Sequence, residues 1–251
     1  MINVILSGCN GKMGKVISNA VKDGETVKIV AGFDINTEKN FDYPVFDDFD
    51  KITVPANVVI DFSHPANLEK VLCYCTKNNV AAVIATTGFD GAQTEKIFDA
   101  AKKIPVFYTA NMSLGVNLIT ALARQAARIL QDNFDIEIIE KHHNQKIDAP
   151  SGTALMIADA IKKELDETPE YVYDRHSVRK KRAKNEIGLH SVRGGNIVGE
   201  HTVIFAGNDE VVEITHKAAS KEVFALGSIK AAKFLSGKSA GLYNMQDIMN
   251  M

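Results

Sequence analysis

The chain contains 251 residues, of which 45% are apolar and 24% are charged, with 29 basic and 31 acidic side chains. These proportions are ordinary for a globular protein and exclude a disordered or fibrous chain. The net charge of −2 gives no support for binding to nucleic acid or to a membrane surface. No apolar run approaches the roughly 20 residues that a membrane helix needs. At about 150 residues per domain, the length predicts one or two domains.

The first residues and the cysteines predict the cellular compartment. Met1-Ile2-Asn3-Val4 has no basic segment of the kind that opens a signal peptide. The cysteines are odd in number and have neither metal-binding nor redox spacing; they are Cys9, Cys73 and Cys75. We expect them to be reduced, buried thiols in a cytoplasmic protein.

Strand-like and helix-like segments alternate from Ile2 to Thr109. The predicted strands are Ile2–Ser7, Val27–Phe33, Val58–Phe62, Ala81–Thr86 and Val106–Thr109. The predicted helices are Lys12–Lys22, which stops at Gly24, then Asn67–Lys77 and Gln93–Lys102. This alternation predicts a parallel sheet with helices on both faces.

The pattern changes near Asn111. Further helices are predicted at Leu114–Gln131, Thr153–Leu165 and Phe224–Leu235. Strands are predicted at Ile136–Glu140, Val198–Phe205 and Val211–His216, the last two forming an antiparallel hairpin around the turn Gly207-Asn208-Asp209-Glu210. An α/β half followed by an α+β half predicts two domains, with the cleft between them as the expected ligand site.

A glycine-rich turn joins the first predicted strand to the first predicted helix. The run Gly8-Cys9-Asn10-Gly11-Lys12-Met13-Gly14 has the spacing G-x-x-G-x-x-G. In dinucleotide-binding folds, such a turn lets the backbone approach the pyrophosphate, and the helix N-terminus supplies free N–H groups. Asn10 adopts a positive φ more readily than most residues. The alternative is an ordinary tight turn, because a glycine pattern alone has low specificity.

The acidic residue at the end of the second predicted strand bears on the choice of nucleotide. Asp34 could accept hydrogen bonds from the ribose hydroxyls of the adenosine. The next residues, Ile35-Asn36-Thr37, include no cation that would attract a 2′-phosphate. This composition favours NADH over NADPH, although Lys12 or Lys39 could still reach a phosphate. The alternative is that Asp34 only solvates a loop.

The most unusual segment, Glu140 to Thr153, reads EKHHNQKIDAPSGT and lies between a predicted strand and a predicted helix. Histidine exchanges a proton near neutral pH, although a single histidine is more often structural. Lys146 could hold a carboxylate or donate a proton. The helix that follows opens with free N–H groups that bind anions, at Ser151, Gly152 and Thr153. Together these features predict a small acidic substrate.

Two other interpretations of charged residues are less favoured. A metal site is disfavoured because His142 and His143 are adjacent, so that on a strand they point to opposite faces, and no third ligand is evident. The run from Arg175 to Lys184 contains six cations. We interpret it as a solvated loop, or one that attracts an anionic substrate, rather than as a nucleic-acid site.

The central segment resembles the 4-hydroxy-tetrahydrodipicolinate reductase family, also called dihydrodipicolinate reductases, through its H-H-x-x-K-x-D-A-P-S-G-T core. The likeness extends along nearly the whole chain. Further matching blocks are Gly8 to Gly14, Asp61 to Pro65, Thr86 to Phe89, Ala110 to Asn117, Arg193 to Gly195, Val198 to Thr202, Ile214 to Lys217, Ser236 to Lys238 and Gly241 to Tyr243. The resemblance implies reduction of a cyclic, unsaturated dicarboxylate by NADH or NADPH, with loss of water, in lysine and diaminopimelate synthesis.

The resemblance also implies roles for individual residues. His142 matches the residue that exchanges the proton, and Lys146 matches a second proton donor. The substrate carboxylates would contact His143, Gly152 and Thr153, and the helix start adds Ser151. The residues matching the cofactor site are Gly8, Cys9, Asn10, Gly11, Lys12, Met13, Asp34, Ala85, Thr86, Thr87, Thr109, Ala110, Asn111 and Met112.

The family fold implies a Rossmann-like dinucleotide-binding domain, residues 1–113 with 224–251. Residues 114–223 would form a substrate-binding domain with a mixed sheet that also builds a tetramer. This chain departs from some members at two positions: Ile35 stands where they carry arginine, which puts strong use of NADPH in doubt, and Met112 stands where they have an aromatic residue near the nicotinamide.

Two alternatives differ in class from this reductase. One is another two-domain nicotinamide-dependent dehydrogenase, such as an amino-acid dehydrogenase, which would oxidise an amino or hydroxy acid. The other is a non-enzymatic NAD(H) sensor, whose output would survive the loss of His142 and Lys146. The histidine, lysine and S-G-T cluster favours the reductase, because a sensor has no use for it.

Overall fold

A computed structural model of the protein describes residues 1–22 and 26–250; the predicted helix stop at Gly24 lies outside the described residues. The strands are β1 (Ile2–Ser7), β2 (Val27–Phe33), β3 (Val45–Phe46), β4 (Val58–Asp61), β5 (Ala81–Ile84), β6 (Pro105–Tyr108), β7 (Asp135–His142), β8 (Glu170–Val172), β9 (Glu186–Arg193), β10 (Gly199–Ala206), β11 (Val211–Ala218) and β12 (Gly241–Tyr243). The helices are α1 (Lys12–Lys22), α2 (Leu68–Asn78), α3 (Gly91–Ala101), α4 (Leu114–Leu130), α5 (Gly152–Lys162), α6 (Glu222–Leu235) and α7 (Met245–Met249).

The described residues divide into two compact units. The first comprises the described residues within Met1–Ser113 and Lys221–Met251, and the second comprises Leu114–Ser220. The family resemblance implies a second boundary after residue 223, and the compact units divide after residue 220. We call these the first unit and the second unit below.

The first unit is built on a seven-stranded sheet with the order β12-β6-β5-β4-β1-β2-β3. Every neighbouring pair in this sheet is parallel. The order reverses between β1 and β4, so the chain leaves their carboxyl ends in opposite directions and opens a crevice where nucleotides bind in such folds. The predicted parallel, Rossmann-like sheet is therefore confirmed.

Apolar strands and helix faces form the core of the first unit. The residues of β4 and β5 are buried along their whole length, as expected for parallel strands covered on both faces. On α2, Val71, Leu72 and Cys75 face this core. Cys73 points the other way and is exposed, so the expectation of three buried thiols is wrong for this residue.

The second unit contains a mixed sheet of five strands in the order β11-β10-β7-β9-β8. The central strand, β7, is antiparallel to β10 and parallel to β9. Buried and partly buried residues alternate along β7, and Ile136 and Ile138 join the core beneath α5. Because the alternation has a period of two, Glu140 and His142 lie on this same buried face. The predicted mixed sheet is confirmed.

The sequence analysis missed several strands, of which β9 matters most. Gly188, His190 and Ser191 interrupt its apolar pattern, and its strand character comes from pairing with β7 and β8. A side chain at Gly188 would collide with Glu137, since a Cβ there would lie 1.6 Å from Glu137 Oε2. Pairing with β7 carries Arg193 to the position opposite His142.

Ion pairs hold two arginines of the basic run against the second unit. Arg175 donates to Glu186 Oε2 at 2.7 Å and to Glu137 Oε1 at 2.8 Å. Arg182 donates to Glu137 Oε1 at 3.1 Å and to Asp135 Oδ1 at 2.8 Å. These local carboxylates offset the charge of two of the six cations in the run. Among the described residues, no helix is both long and apolar enough to cross a membrane.

Candidate active site

In the first unit, the glycine-rich turn leaves the carboxyl end of β1. Gly8 has φ of 78°, and a Cβ there would lie 2.5 Å from the carbonyl oxygen of Phe62. A Cβ at Gly14 would lie 2.2 Å from the carbonyl oxygen of Gly8. The first glycine therefore allows β1 to approach the loop after β4, and the last allows α1 to pack on the turn. Gly11 is less restricted, with its nearest contact at 3.2 Å.

The residues between these glycines point in different directions. Cys9 is buried against β2, where a Cβ at Gly32 would lie 2.5 Å from its Sγ, so only its backbone could face a ligand. Burial also raises the pKa of the Cys9 thiol to about 12. Lys12 is exposed at the start of α1, and Met13 is partly buried beside it.

Asn10 organises the loop after β2. Its backbone N–H donates to Asp34 Oδ2 at 2.9 Å, and its side-chain amide donates to the carbonyl oxygens of Asn36 and Glu38. Among the described non-glycine residues, Asn79 alone has a positive φ, so Asn10 does not use the left-handed conformation that asparagine permits. Asp34 therefore stands at the edge of the glycine turn, partly buried, with Ile35 exposed beside it.

A buried carboxylate joins the ends of the central strands. Asp61 accepts hydrogen bonds from the hydroxyls of Ser7 at 2.6 Å, Ser63 at 2.7 Å and Thr86 at 2.7 Å. Burial raises the pKa of Asp61, and the three hydroxyls act in the opposite direction. The Thr86 hydroxyl thus points into the protein, whereas Thr87 is exposed and Ala85 is buried at the carboxyl end of β5.

The remaining cofactor candidates follow β6. Thr109 Oγ1 donates to the carbonyl oxygen of Asn111 at 3.2 Å, and Asn111 Oδ1 accepts from the backbone of Ser113 at 2.8 Å. Ala110 is exposed and Met112 is buried. All the predicted cofactor residues therefore lie in the first unit, where parallel strands end or where the glycine turn follows β1.

In the second unit, His142 is held through one ring nitrogen. His142 Nδ1 lies 2.6 Å from Glu140 Oε2, and both side chains are buried. An ionised carboxylate only accepts hydrogen bonds, so Nδ1 carries the proton and Nε2 is the basic nitrogen. Nε2 has no hydrogen-bond partner among the described residues. A Cβ at Gly199 would lie 3.1 Å from Nε2, so the glycine keeps space beside it.

Glu140 has further partners besides the histidine. Arg193 donates to both of its oxygens, at 2.8 and 2.7 Å, and the backbone N–H of Ser151 donates to Oε1 at 3.0 Å. Burial acts to raise the pKa of Glu140, but the hydrogen bonds, led by Arg193, outweigh it and lower the pKa to about 2. The carboxylate is therefore ionised at neutral pH.

Ser151 caps α5 and contacts a second histidine. Its Oγ accepts from the backbone N–H of Ala154 at 3.1 Å and lies 3.0 Å from His201 Nε2. The His201 ring meets the His142 ring edge-on, with centroids 5.2 Å apart. Burial, with His142 adding to it, lowers the pKa of His201 to about 4, so this ring is neutral at neutral pH. The contact between the Ser151 hydroxyl and the His201 ring therefore stabilises the start of α5.

The start of α5 carries the other predicted substrate contacts. Gly152 is exposed, and a Cβ there would have no neighbour within 4 Å, so neither packing nor a positive φ demands glycine. Thr153 is partly buried in the same turn, and His143 follows directly after β7. Lys146 Nζ pairs with Asp148 Oδ1 at 2.8 Å, and this contact lowers the pKa of Asp148. The predicted histidines, the lysine and the S-G-T turn thus lie at the carboxyl end of β7, at the start of α5 and in the segment that joins them.

Family comparison identifies the chain. The family model for dihydrodipicolinate reductase, N-terminus, matches residues 2–112, and that for the C-terminus matches residues 115–249. The chain belongs to the dihydrodipicolinate reductase family. The 4-hydroxy-tetrahydrodipicolinate reductase of Clostridium tetani is 49% identical over 250 residues, covering 100% of this chain and 98% of that one. That of Caldanaerobacter subterraneus subsp. tengcongensis is 51% identical over 249 residues, covering 99% and 98%. The resemblance predicted from the motifs is confirmed.

Solved structures agree with the family assignment. A dipicolinate-bound dihydrodipicolinate reductase from Paenisporosarcina sp. TG-14 matches with a TM-score of 0.83 and 26% identity, covering 99% of both chains. An aspartate dehydrogenase from Thermotoga maritima matches with a TM-score of 0.53, 14% identity and coverage of 95% and 98%. The second similarity shows a shared fold alone.

Glu140, Arg193 and His201 received no role from the sequence. Glu140 and His201 contact predicted site residues, and Arg193 contacts Glu140. Glu140 could have been found, because it lies two residues before His142 and so shares its face of the strand. Arg193 and His201 reach the site through sheet pairing, which no local pattern reveals. Among the described residues, no group of three or more histidine, cysteine or acidic residues is arranged to hold a metal ion.

Proposed function

We propose that the protein reduces 4-hydroxy-tetrahydrodipicolinate to tetrahydrodipicolinate, with loss of water and oxidation of NADH or NADPH, in lysine and diaminopimelate biosynthesis. Within the family, the observation that carries this proposal is the Glu140–His142 pair beside the start of α5. It combines a proton-exchanging ring with an anion-binding helix end, as reduction of an acidic imine requires.

The first unit fits a nicotinamide dinucleotide. Gly8 and Gly14 allow the tight turn, because a Cβ at either position would lie within 2.5 Å of a carbonyl oxygen. Without side chains at these positions, a pyrophosphate could approach the backbone closely. The N–H groups of Gly11, Lys12 and Met13 would hold the pyrophosphate at the start of α1. Asp34 would accept from the ribose hydroxyls. The loops after β5 and β6, at Ala85–Thr87 and Thr109–Met112, would position the nicotinamide. The bound cofactor supplies the hydride.

His142 and Lys146 are the residues that would move protons. The hydrogen bond to Glu140 would keep Nδ1 of His142 protonated, which would leave Nε2 free to exchange a proton with the substrate. Lys146 would exchange its contact with Asp148 for a substrate carboxylate, or donate a proton to the leaving hydroxyl. Positioned proton transfer of this kind contributes about 10²–10⁴-fold in rate.

The start of α5 would bind a substrate carboxylate. Gly152 and Thr153 lie at the start of α5, where the helix dipole favours an anion, and Ser151 caps this turn. Lys146 would add a cationic contact to the same substrate, and His143 would add a hydrogen bond. The related structure that holds dipicolinate, a planar cyclic dicarboxylate, supports a ligand of this shape and charge. We therefore propose a small cyclic dicarboxylate as substrate.

The acidic residue after β2 favours NADH. Asp34 would repel a 2′-phosphate, and the exposed Ile35 beside it offers no positive charge. We propose that both nucleotides react and that NADH is preferred. We also propose that the protein is cytoplasmic. In that compartment the reduced nucleotides would be available, and the exposed thiol of Cys73 would stay reduced.

We also propose a homotetramer built by the second unit. The face of its sheet opposite α5 carries partly exposed apolar side chains at Ile139, Val192 and Ile204. A second copy of the chain would cover this face, as oligomer interfaces usually bury apolar surface. Light scattering on the purified protein tests this proposal, and a monomeric mass would reject it.

The decisive experiment measures initial rates of NADH and NADPH oxidation. The substrate is the freshly formed condensation product of pyruvate and aspartate semialdehyde. We expect rapid oxidation that depends on this product, a large loss of turnover in His142→Gln with NADH binding retained, and full activity in His176→Gln. His176 is a suitable control because it is exposed on the basic run.

Other results would favour the alternatives. Protein that binds NADH but oxidises neither nucleotide would reject the reductase and favour a sensor. Reduction of NAD⁺ by an amino or hydroxy acid, without activity on the condensation product, would favour another dehydrogenase.

A further inference from the structure

The carboxylate of Glu140 connects two parts of the proposed substrate site. Its Oε2 lies 2.6 Å from His142 Nδ1, and its Oε1 accepts from the backbone N–H of Ser151 at 3.0 Å. One oxygen therefore holds the proton-exchanging ring, and the other holds the residue that caps α5. The two groups come from different elements, and this single side chain sets the distance between them.

Arg193 fixes the orientation of that carboxylate. Its guanidinium donates to Glu140 Oε2 at 2.8 Å and to Oε1 at 2.7 Å, and it also donates to the carbonyl oxygen of Asp148 at 2.6 Å. The Glu140 side chain has no exposed surface. The carboxylate cannot rotate without breaking several charge-assisted hydrogen bonds in a buried place, where such bonds are strongest.

We propose that Glu140, clamped by Arg193, is a positioning residue for the reaction. It keeps the proton of neutral His142 on Nδ1, so that Nε2 is the basic nitrogen, and it sets the distance from that nitrogen to the start of α5. This inference rests on the proposed function.

If the Glu140 carboxylate had only a structural role, its replacement would have a different effect. Such a group would stabilise the fold, and its loss would lower the amount of folded enzyme without changing the histidine tautomer. Glu186 provides the comparison, because it is also a buried carboxylate paired with an arginine in the same sheet. It accepts from Arg175 at 2.7 Å and from the backbone of Ala183 at 3.1 Å, and it contacts none of the proposed site residues.

The test compares Glu140→Gln with Glu186→Gln. In Glu140→Gln, kcat per folded enzyme should fall about tenfold or more, as is typical when a partner that orients a catalytic group is lost. The Kd for NADH should stay within about twofold, because nucleotide binding belongs to the first unit. Glu186→Gln should retain the wild-type kcat even if it lowers the melting temperature.

Nitrogen NMR of ¹⁵N-histidine-labelled protein measures the tautomer of His142, which would not change if Glu140 had only a structural role. The His142 resonances are assigned by their loss in His142→Gln. In wild-type spectra recorded at a pH at which the His142 ring is neutral, the Nδ1 signal should be that of a protonated nitrogen and the Nε2 signal that of a bare one. Glu140→Gln should shift His142 to a mixture of tautomers, and Glu186→Gln should leave it unchanged.

The outcomes separate this inference from the proposed function. A wild-type spectrum with a bare Nδ1 on neutral His142 would overturn the positioning role, even if Glu140→Gln fails to fold. Wild-type kcat in a folded Glu140→Gln would also overturn it. If the wild type shows the expected tautomer but does not turn over the condensation product, the function has failed and the geometric assignment has not.

Discussion

The Ser7 hydroxyl donates a 2.6 Å hydrogen bond to the Asp61 carboxylate across the two strands where the order of the parallel sheet reverses. Ser63 and Thr86 add their hydroxyls to the same carboxylate. A hydroxyl can rotate to donate or to accept. Glu140 differs, because the charged guanidinium of Arg193 is among its partners and can only donate. The two buried carboxylates should therefore respond differently when replaced by an amide.

Asp61→Asn should be tolerated best at high pH. Burial raises the pKa of Asp61 above its ordinary value of 3.8. Ionising Asp61 therefore costs more free energy in the folded protein than in the unfolded chain. As a result, the contribution of Asp61 to the unfolding free energy of the wild type falls as the pH rises above 3.8. Asparagine carries no charge to bury. We expect the unfolding free energy of Asp61→Asn, relative to wild type, to increase between about pH 4 and pH 8 in urea titrations. A difference that is independent of pH would show that the folded protein does not resist ionisation of Asp61.

Gly199→Ala should impair turnover without unfolding the protein. A Cβ at this position would lie 3.1 Å from His142 Nε2, which is a tight contact with the nitrogen proposed to exchange the proton. The backbone permits alanine, since Gly199 does not have a positive φ. We expect kcat to fall about tenfold or more, because a small misplacement of a reacting group is costly.

Gly91→Ala is the matched control for the Gly199 variant. A Cβ at Gly91 would have no neighbour within 4 Å, and alanine favours the helix that begins there. Its kcat should equal that of the wild type. Unchanged kcat in a folded Gly199→Ala would contradict the assignment of Nε2 as the reacting nitrogen.

His201 should make the fold sensitive to mild acid. Burial, followed by the neighbouring His142, lowers the pKa of His201 from 6.5 to about 4. Below pH 6.5 the His201 ring gains a proton in the unfolded chain but stays neutral in the folded protein. The contribution of His201 to the unfolding free energy is therefore complete above pH 6.5 and is lost as the pH falls towards 4. The full effect is about 3 kcal/mol.

His201→Gln tests this acid sensitivity. Unfolding free energies measured in urea at about pH 7 and pH 5 should differ less in His201→Gln than in the wild type. His176→Gln, which changes an exposed histidine, should behave as the wild type does. An undiminished pH dependence in His201→Gln would assign the acid sensitivity to other groups.

Local patterns were sufficient to predict the elements that position the candidate site. The apolar runs before Gly8 and before His142 became β1 and β7, because each is buried between neighbouring strands. Apolar periodicity predicted the helix that starts at Lys12, and the predicted opening of the next helix at residues 151–153 agrees with α5, which Ser151 caps. In these places, local preference and tertiary packing agree.

Long-range pairing accounts for what the sequence did not reveal. Arg193 is 53 residues from Glu140 along the chain, and it reaches the carboxylate only because β9 pairs in parallel with β7. The contacts of Asn10 are long-range in the same way. Its side-chain amide donates to carbonyl oxygens 26 and 28 residues away in the loop after β2, and no local pattern reveals these contacts.

Ile35→Arg should shift the nucleotide preference towards NADPH. Ile35 is 89% exposed directly after Asp34, so arginine there costs little stability and can offer a bidentate contact to a 2′-phosphate. A charged hydrogen bond of about 1.5–3 kcal/mol corresponds to a KM for NADPH about tenfold or more lower, with NADH much less affected. Ile35→Gln is the matched control, because it is polar without the charge and should leave the ratio of the two nucleotides near that of the wild type. Steady-state rates with each nucleotide measure the effect, and equal changes for NADH and NADPH would show that position 35 does not face the 2′-phosphate.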